Sequence, residues 1–103
     1  MYCTARTVQP TGDVIGTLPE TISDVEALGG TAVALQCNHS DDAETEAVFA
    51  RIAEEQGRLD ILVNNACGTP EFAEAIGTSF WELPRQLWDD SMDVGLRSNF
   101  VCS

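Results

Sequence analysis

Two apolar runs of strand length constrain the fold of this chain more than any other feature. They are "TAVALQC" at 31–37 and "RLDILVNN" at 58–65, and their apolar residues are consecutive rather than alternating with polar ones. Runs of this kind are typical of a parallel sheet whose two faces are both covered by helices. The sequence therefore predicts an α/β fold with a parallel sheet between helical layers.

A helical segment precedes the first run. Its apolar residues recur at spacings of four, three and three, which places them on one helical face; they are Leu18, Ile22, Val25 and Leu28. Gly29-Gly30 is expected to end this helix. Before it, "YCTAR" at 2–6 is short and β-prone, which predicts a first strand.

A second helix is predicted between the two runs. Asp41 and Glu44 have the spacing of a capping box, and Gly57 follows the last helical residue, Gln56. The residues expected to face inward are Ala43, Ala47, Val48 and Ile52. The predicted order is strand, helix, strand, helix, strand, which is the alternation of a doubly wound sheet.

The C-terminal part is predicted to be helical. A short helix is expected at 70–77 and a longer one over 79–103, with Pro84 in its first turn. Large apolar side chains on such a helix are more often core residues than a binding surface. The residues expected to face the core are Trp81, Leu87, Trp88, Met92 and Leu96.

Composition excludes several classes of function. The 103 residues form one domain, 1–103, and the net charge of −12, with arginine as the only basic residue type, repels nucleic acid. No apolar run approaches the roughly 20 residues of a membrane span, and no signal-peptide pattern is present. The four cysteines have neither metal-ligand nor redox-motif spacing. These features predict a cytoplasmic protein with reduced thiols and no metal site.

The end of the second run carries a resemblance to a known family. "GRLDILVNNA" at 57–66 closely resembles the short-chain dehydrogenase/reductase family, whose fourth strand ends Asn-Asn-Ala-Gly. The resemblance implies a Rossmann-like, three-layer αβα fold with a parallel sheet. The fold is expected to be incomplete, because the chain lacks the family's first strand and last strands. The chain is then an interior segment, a partial NAD(P)-binding domain.

The resemblance implies cofactor contacts at the ends of the strands. Arg6 follows Ala5 at the end of the first strand, where NAD-binding members carry an acid. This arrangement is similar to members that hold the 2′-phosphate of NADP, and a planar guanidinium suits a phosphate. A solvated arginine at a strand end is the alternative.

Asn38 and His39 follow the next strand. Asn38 stands where the family has an aspartate that accepts a hydrogen bond from the adenine amino group, and its amide oxygen can accept the same bond. The alternative for Asn38 is an ordinary loop residue. His39 is expected at the solvent edge beside the adenine, or without a role.

The turn after the third strand is the remaining cofactor contact that the resemblance implies. In the family this turn brings backbone to the adenosine ribose, and a side-chain amide ties the central strands together. The matching residues are Asn64, Ala66 and Cys67, with Cys67 in the family's glycine position. Cys67 is not expected to be a nucleophile, because the sequence places no histidine or lysine to activate it.

The sequence departs from the family at the catalytic residues. The family's Tyr-x-x-x-Lys pair cannot be built, since Tyr2 is the only tyrosine and the chain has no lysine. "TGDVIGTL" at 11–18 imitates the glycine-rich phosphate loop but has Leu18 in place of its last glycine. Gly95 stands where members carry an asparagine, with Asn99 about one turn away. No catalytic residue is predicted.

The resemblance therefore implies part of an NADP-dependent enzyme that transfers a hydride between nicotinamide and a carbonyl or alcohol. Alone, the segment is expected to bind the adenosine side weakly at most. The alternative is a stand-alone, non-catalytic module that forms a homo-oligomer through helix 84–103.

The missing first strand would lie between 2–5 and 59–64, leaving a gap of about 9.6 Å. The chain is expected either to close this gap by pairing the two segments directly or to be marginally stable.

Overall fold

A computed structural model of the chain describes residues 1–8, 16–67 and 76–103. Strand β1 (Tyr2–Ala5) pairs in parallel with strand β2 (Val33–Gln36), with Tyr2 opposite Val33 and Ala5 opposite Gln36. The pairing continues at both ends, where the amides of Val33 and Cys37 donate to the carbonyls of Met1 and Ala5 at 2.8 and 3.0 Å. The two strands predicted at 2–6 and 31–37 are confirmed.

Helix α1 (Leu18–Ala27) connects the strands and begins with a capping box. The Thr17 hydroxyl accepts from the Glu20 amide at 3.4 Å, and the Glu20 carboxylate accepts from the Thr17 amide at 2.8 Å. Leu18 is buried, but Leu28 is 89% exposed, so its predicted place on the inner face is wrong. Leu28 lies after the last helical turn, and Gly29 reverses the chain at a φ of +82°.

Helix α2 (Asp42–Gln56) begins at Asp41, whose carboxylate accepts from the amides of Ala43 and Glu44 at 2.9 and 3.4 Å. The predicted capping box is only half formed, because the Glu44 carboxylate accepts from the Asn38 amide at 2.7 Å instead of from Asp41. The helix ends as predicted at Gly57, which has a φ of +71°.

The inner face of α2 differs from the prediction. Ile52 is buried and Val48 half-buried, but Ala43 and Ala47 are exposed. Thr45 is buried in their place, with its hydroxyl 4.0 Å from the Cys37 sulfur. The apolar residues that are buried in the described part are Leu18, Leu35, Cys37 and Ile52. This core is small.

The third predicted strand, 58–65, does not form. Residues 58–67 belong to no helix or strand, and Ile61 and Val63 are 76% and 78% exposed. A strand requires an adjacent edge, and the described sheet consists of β1 and β2 alone. Of the two alternatives expected for the gap, direct pairing of 59–64 with 2–5 does not occur among the described residues, and marginal stability stays a prediction.

The C-terminal helical arm, residues 80–103, begins with a 3₁₀ turn (Phe80–Glu82). It continues as α3 (Arg85–Asp90), a π-helical segment (Ser91–Arg97) and α4 (Ser98–Cys102). A long helix was expected, and Pro84 lies at its cap rather than in its first turn. The helix predicted at 70–77 falls largely on 68–75, outside the described residues.

The arm does not bury its large side chains as predicted. Trp81 and Trp88 are 73% and 67% exposed, and Leu96 is exposed as well, whereas Leu87 and Met92 are half-buried. The arm meets the rest of the described fold mainly where α4 packs against α2, so most of its length has no facing element.

One ion pair anchors the arm to the first turn of α2. The guanidinium of Arg97 donates two hydrogen bonds, both 2.6 Å long, to the two carboxylate oxygens of Asp42. The hydrogen bonds from Arg97 hold the pKa of the Asp42 carboxyl below its usual range. Ionisation of the Asp42 carboxyl therefore strengthens the attachment of the arm to α2.

We expect Asp41→Ala to lower the free energy of unfolding by about 1 kcal/mol, because two amides of the first turn of α2 lose their acceptor. Urea denaturation measures the change. Glu46→Ala, on the exposed face of the same helix, is the matched control and should change stability by no more than about 0.5 kcal/mol. Equal losses in both variants would contradict the capping role.

The Asp42–Arg97 pair should make stability depend on pH. A lowered folded-state pKa stabilises the fold above the ordinary value of 3.8, and this contribution is lost as the pH falls through the lowered value. We expect Arg97→Gln to lower the urea midpoint at about pH 7, and the difference from wild type to shrink by about pH 3. The control variant Arg85→Gln, which replaces an exposed arginine of the arm, should not lower the urea midpoint at either pH. A difference that is independent of pH would refute the linkage.

Candidate functional site

A cleft of about 1250 Å³ lies between β1 and the segment 58–67, and the arm contributes Val94, Asn99 and Cys102 to its wall. The cleft includes the carboxyl ends of both strands, where ligands bind in open α/β sheets. All of the cofactor-contacting residues expected from the sequence line it: Arg6, Asn38, His39, Asn64, Ala66 and Cys67. The fold thus brings together residues that are spread over most of the chain.

Arg6 is exposed at the end of β1, and its carbonyl accepts from the Gln36 side chain at 3.1 Å. Among the described residues, none of the ion pairs uses the Arg6 guanidinium. Arg6 also lines a second cleft of about 490 Å³ together with Asn38, Glu44 and Arg51. This position leaves the cation available to an anionic ligand.

Asn38 is held in a local turn. Its side-chain oxygen accepts from the Ser40 amide at 3.2 Å and from the Ser40 hydroxyl at 2.8 Å. These two bonds use both lone pairs of the oxygen that was expected to accept from an adenine. The loop role that the sequence left open for Asn38 is therefore present in the structure.

His39 joins three elements and is half-buried at the wall of the cleft, and its expected place beside an adenine stays a prediction. Its Nε2 is hydrogen-bonded to the Thr4 hydroxyl at 2.8 Å, and its Nδ1 lies 3.9 Å from the sulfurs of both Cys37 and Cys102. Burial lowers the pKa of the imidazole, so the ring is neutral at physiological pH.

The two thiols beside His39 are suited to packing rather than to reaction. Burial raises the pKa of both Cys37 and Cys102, which keeps them protonated and weakly nucleophilic. In the described part of the chain, no group of three or more potential ligands could hold a metal ion. The sequence gives no sign of this cluster, since 35 and 63 residues separate Thr4 and Cys102 from His39.

Asn64 connects the segment 58–67 to the arm. Its amide nitrogen donates to the Asn99 carbonyl at 3.2 Å and to the Ser103 hydroxyl at 2.9 Å. The expected tie between central strands is replaced by this contact, because no strand lies beside the segment in the described fold. Ala66 is half-buried and Cys67 is exposed.

The two side chains most similar in type to the family's acid/base residues, Tyr2 and Asn99, are hydrogen-bonded within the chain. The Tyr2 hydroxyl donates to the Glu55 carboxylate at 2.6 Å and accepts from Gln56 at 3.1 Å. The bond to Glu55 is the main reason that the pKa of Tyr2 is raised. Asn99 lines the cleft, but its amide donates to the Gly95 carbonyl at 2.6 Å.

None of the described helices is both long and apolar enough to cross a membrane.

Comparison with known proteins gives a consistent result. The sequence model of the family described as short chain dehydrogenase matches residues 7–103. The chain is 41% identical over 99 residues to mouse dehydrogenase/reductase SDR family member 1. The aligned region covers 94% of this chain and 32% of that protein. The chain thus spans about a third of the length of this relative.

Solved structures with the same fold include two short-chain oxidoreductases. A short-chain alcohol dehydrogenase from Sinorhizobium meliloti is 34% identical with a TM-score of 0.68, over 98% of this chain and 35% of that one. A metagenomic short-chain oxidoreductase, solved in complex with NADP, is 23% identical with a TM-score of 0.72, over 98% of this chain and 40% of that one. The described fold is a partial Rossmann-like α/β domain.

We expect Asn64→Ala to speed amide hydrogen exchange in α4, because the variant removes the side-chain donor that holds the Asn99 carbonyl and the Ser103 hydroxyl. The expected loss of local stability is about 1 kcal/mol. Asn65→Ala, the neighbouring exposed amide on the same cleft, is the matched control and should leave exchange in α4 unchanged. Equal exchange in both variants would rule out the tie.

Proposed function

Because the chain belongs to the short-chain dehydrogenase family, we propose that it is the adenosine-side segment of an NADP-dependent oxidoreductase. The complete enzyme would transfer a hydride between NADP and a carbonyl or alcohol substrate. The observation that carries this proposal is the shared cleft at the carboxyl ends of β1 and β2, lined by all of the residues expected to contact the cofactor. Residues 1–103 then form part of one NAD(P)-binding domain.

The choice of NADP over NAD rests on Arg6. The residue before it, Ala5, has no carboxylate to accept hydrogen bonds from ribose hydroxyls, whereas the exposed guanidinium of Arg6 can bind a 2′-phosphate. A phosphate on the ribose would neutralise a cation that none of the described ion pairs uses.

We propose that the segment binds and orients the cofactor and supplies no catalytic residue. Hydride transfer in this family needs a tyrosine and a lysine near the reacting carbon, and this chain offers Tyr2 and no lysine. The hydrogen bond to Glu55 directs the Tyr2 hydroxyl toward the C-terminal end of α2. The chain's own contribution is therefore limited to the adenosine side of the cofactor, and its affinity for the whole dinucleotide is expected to be weak.

The exposed arm favours a second candidate function. Trp88, Leu96 and Phe100 present apolar surface to solvent, as expected of a helix that pairs with another molecule. The alternative is thus a non-catalytic module that forms homo-oligomers through helix 84–103. A transcript that encodes a glycine-rich loop before Met1 and a Tyr-x-x-x-Lys pair after Ser103 would decide for the enzyme segment. A start signal before Met1 and a stop after Ser103 would decide for the module.

We propose the cytoplasm as the location of the protein. The unpaired thiols of Cys3, Cys37 and Cys102 support a reducing compartment.

The role of Arg6 can be tested with two small ligands that represent the adenosine sides of NADP and NAD. In nuclear magnetic resonance titrations, we expect the chain to bind adenosine 2′,5′-bisphosphate about tenfold more tightly than 5′-AMP, the ratio given by one charge-assisted contact. Arg6→Ala should abolish this preference without unfolding the chain, since the side chain is exposed. Arg85→Ala, which removes an arginine that does not line the cleft, should keep it. Equal binding of the two ligands by wild type would refute the assignment.

A further inference from the structure

Asn38, two residues beyond the end of β2, is fixed by four hydrogen bonds that all lie within residues 38–44. Its main-chain amide donates to the Glu44 carboxylate at 2.7 Å, and its carbonyl accepts from the Asp41 amide at 2.8 Å. Its side-chain oxygen accepts from both the amide and the hydroxyl of Ser40. The conformation of Asn38 is therefore set by its own loop and by the first turn of α2.

The contact with Ser40 also determines which way the side-chain amide of Asn38 is turned. A main-chain N–H can only donate, so the atom that faces the Ser40 amide at 3.2 Å must be the oxygen. The nitrogen on the same carbon is then directed away from Ser40, and within the described residues it donates to no protein group. Because Asn38 lines the cleft of the candidate site, it offers a ligand there an N–H donor.

A donor at this place suits a different base from the acceptor that the sequence predicted. An amino group at position six of a purine carries hydrogens, and it would meet the hydrogens of the Asn38 amide. A carbonyl oxygen at position six can accept from that amide instead. The side chain therefore does not fit the expected contact with the adenine amino group.

We propose that Asn38 acts as a donor toward the base, so that the site does not select adenine by its 6-amino group and binds 6-oxopurine nucleotides at least as tightly. This inference rests on the proposed function only in taking the cleft as the place where a purine nucleotide binds. It concerns selectivity for the base, whereas Arg6 concerns the phosphate on the ribose.

The experiment compares 5′-AMP with 5′-IMP in nuclear magnetic resonance titrations of the 103-residue chain. We expect the wild-type chain to bind 5′-IMP at least as tightly as 5′-AMP. Asn38→Asp supplies a second acceptor oxygen, so one oxygen can stay with Ser40 while the other accepts from the adenine amino group. The ratio of the two dissociation constants should then move about tenfold toward 5′-AMP.

The matched control is Asn65→Asp, which makes the same change at another residue of the cleft and should leave the ratio as in wild type. Since the two nucleotides carry the same phosphate, repulsion from the added carboxylate cancels in the ratio.

A wild-type preference for 5′-AMP would overturn the inference and leave the proposed function intact. The same holds for a ratio that Asn38→Asp leaves unchanged, or that both variants shift equally. If the wild-type chain binds neither nucleotide, the proposed function fails and this inference fails with it. Circular dichroism of both variants checks their folding, and the wild-type comparison decides even if Asn38→Asp does not fold.

Discussion

The parallel pairing of β1 with β2 is the constraint on which the rest of the structure depends. Its register sets Ala5 opposite Gln36, so Arg6 and Asn38 emerge at the same end of the sheet. His39 follows Asn38 and reaches back to Thr4 of the neighbouring strand. α1 packs on this pair of strands, and the buried residues of the core gather around it. A change in register would separate every one of these contacts.

Features with local causes could be predicted from the sequence. A carboxylate before a helix, a glycine after one, and an apolar run all act within a few residues, which is why Asp41, Gly57 and both paired strands were predicted correctly. Features that require a distant neighbour were not. The segment 58–65 has the composition of a strand but no adjacent edge, and Trp81 and Trp88 have the size of core residues but no facing layer.

In the candidate site, too, some features have local causes and others depend on distant parts of the chain. The ends of β1 and β2 meet at one edge of the sheet, so the sequence could predict that Arg6, Asn38 and His39 lie together there. Other contacts of the site depend on the arm, which lies far along the chain. Asn64 binds Asn99 and Ser103, and His39 approaches Cys102, because α4 packs beside them. Such contacts follow from tertiary packing and have no local signature.

The parallel arrangement also determines the order in which the chain can fold. Tyr2 pairs with Val33, so the sheet forms only after a loop of about 30 residues closes, at an entropic cost of roughly 3 kcal/mol. α1, with its own capping box, can begin to form from local contacts and shortens that loop when it forms. The helix should therefore precede the sheet, and substitutions at Thr17 should slow folding more than equally destabilising ones in the arm.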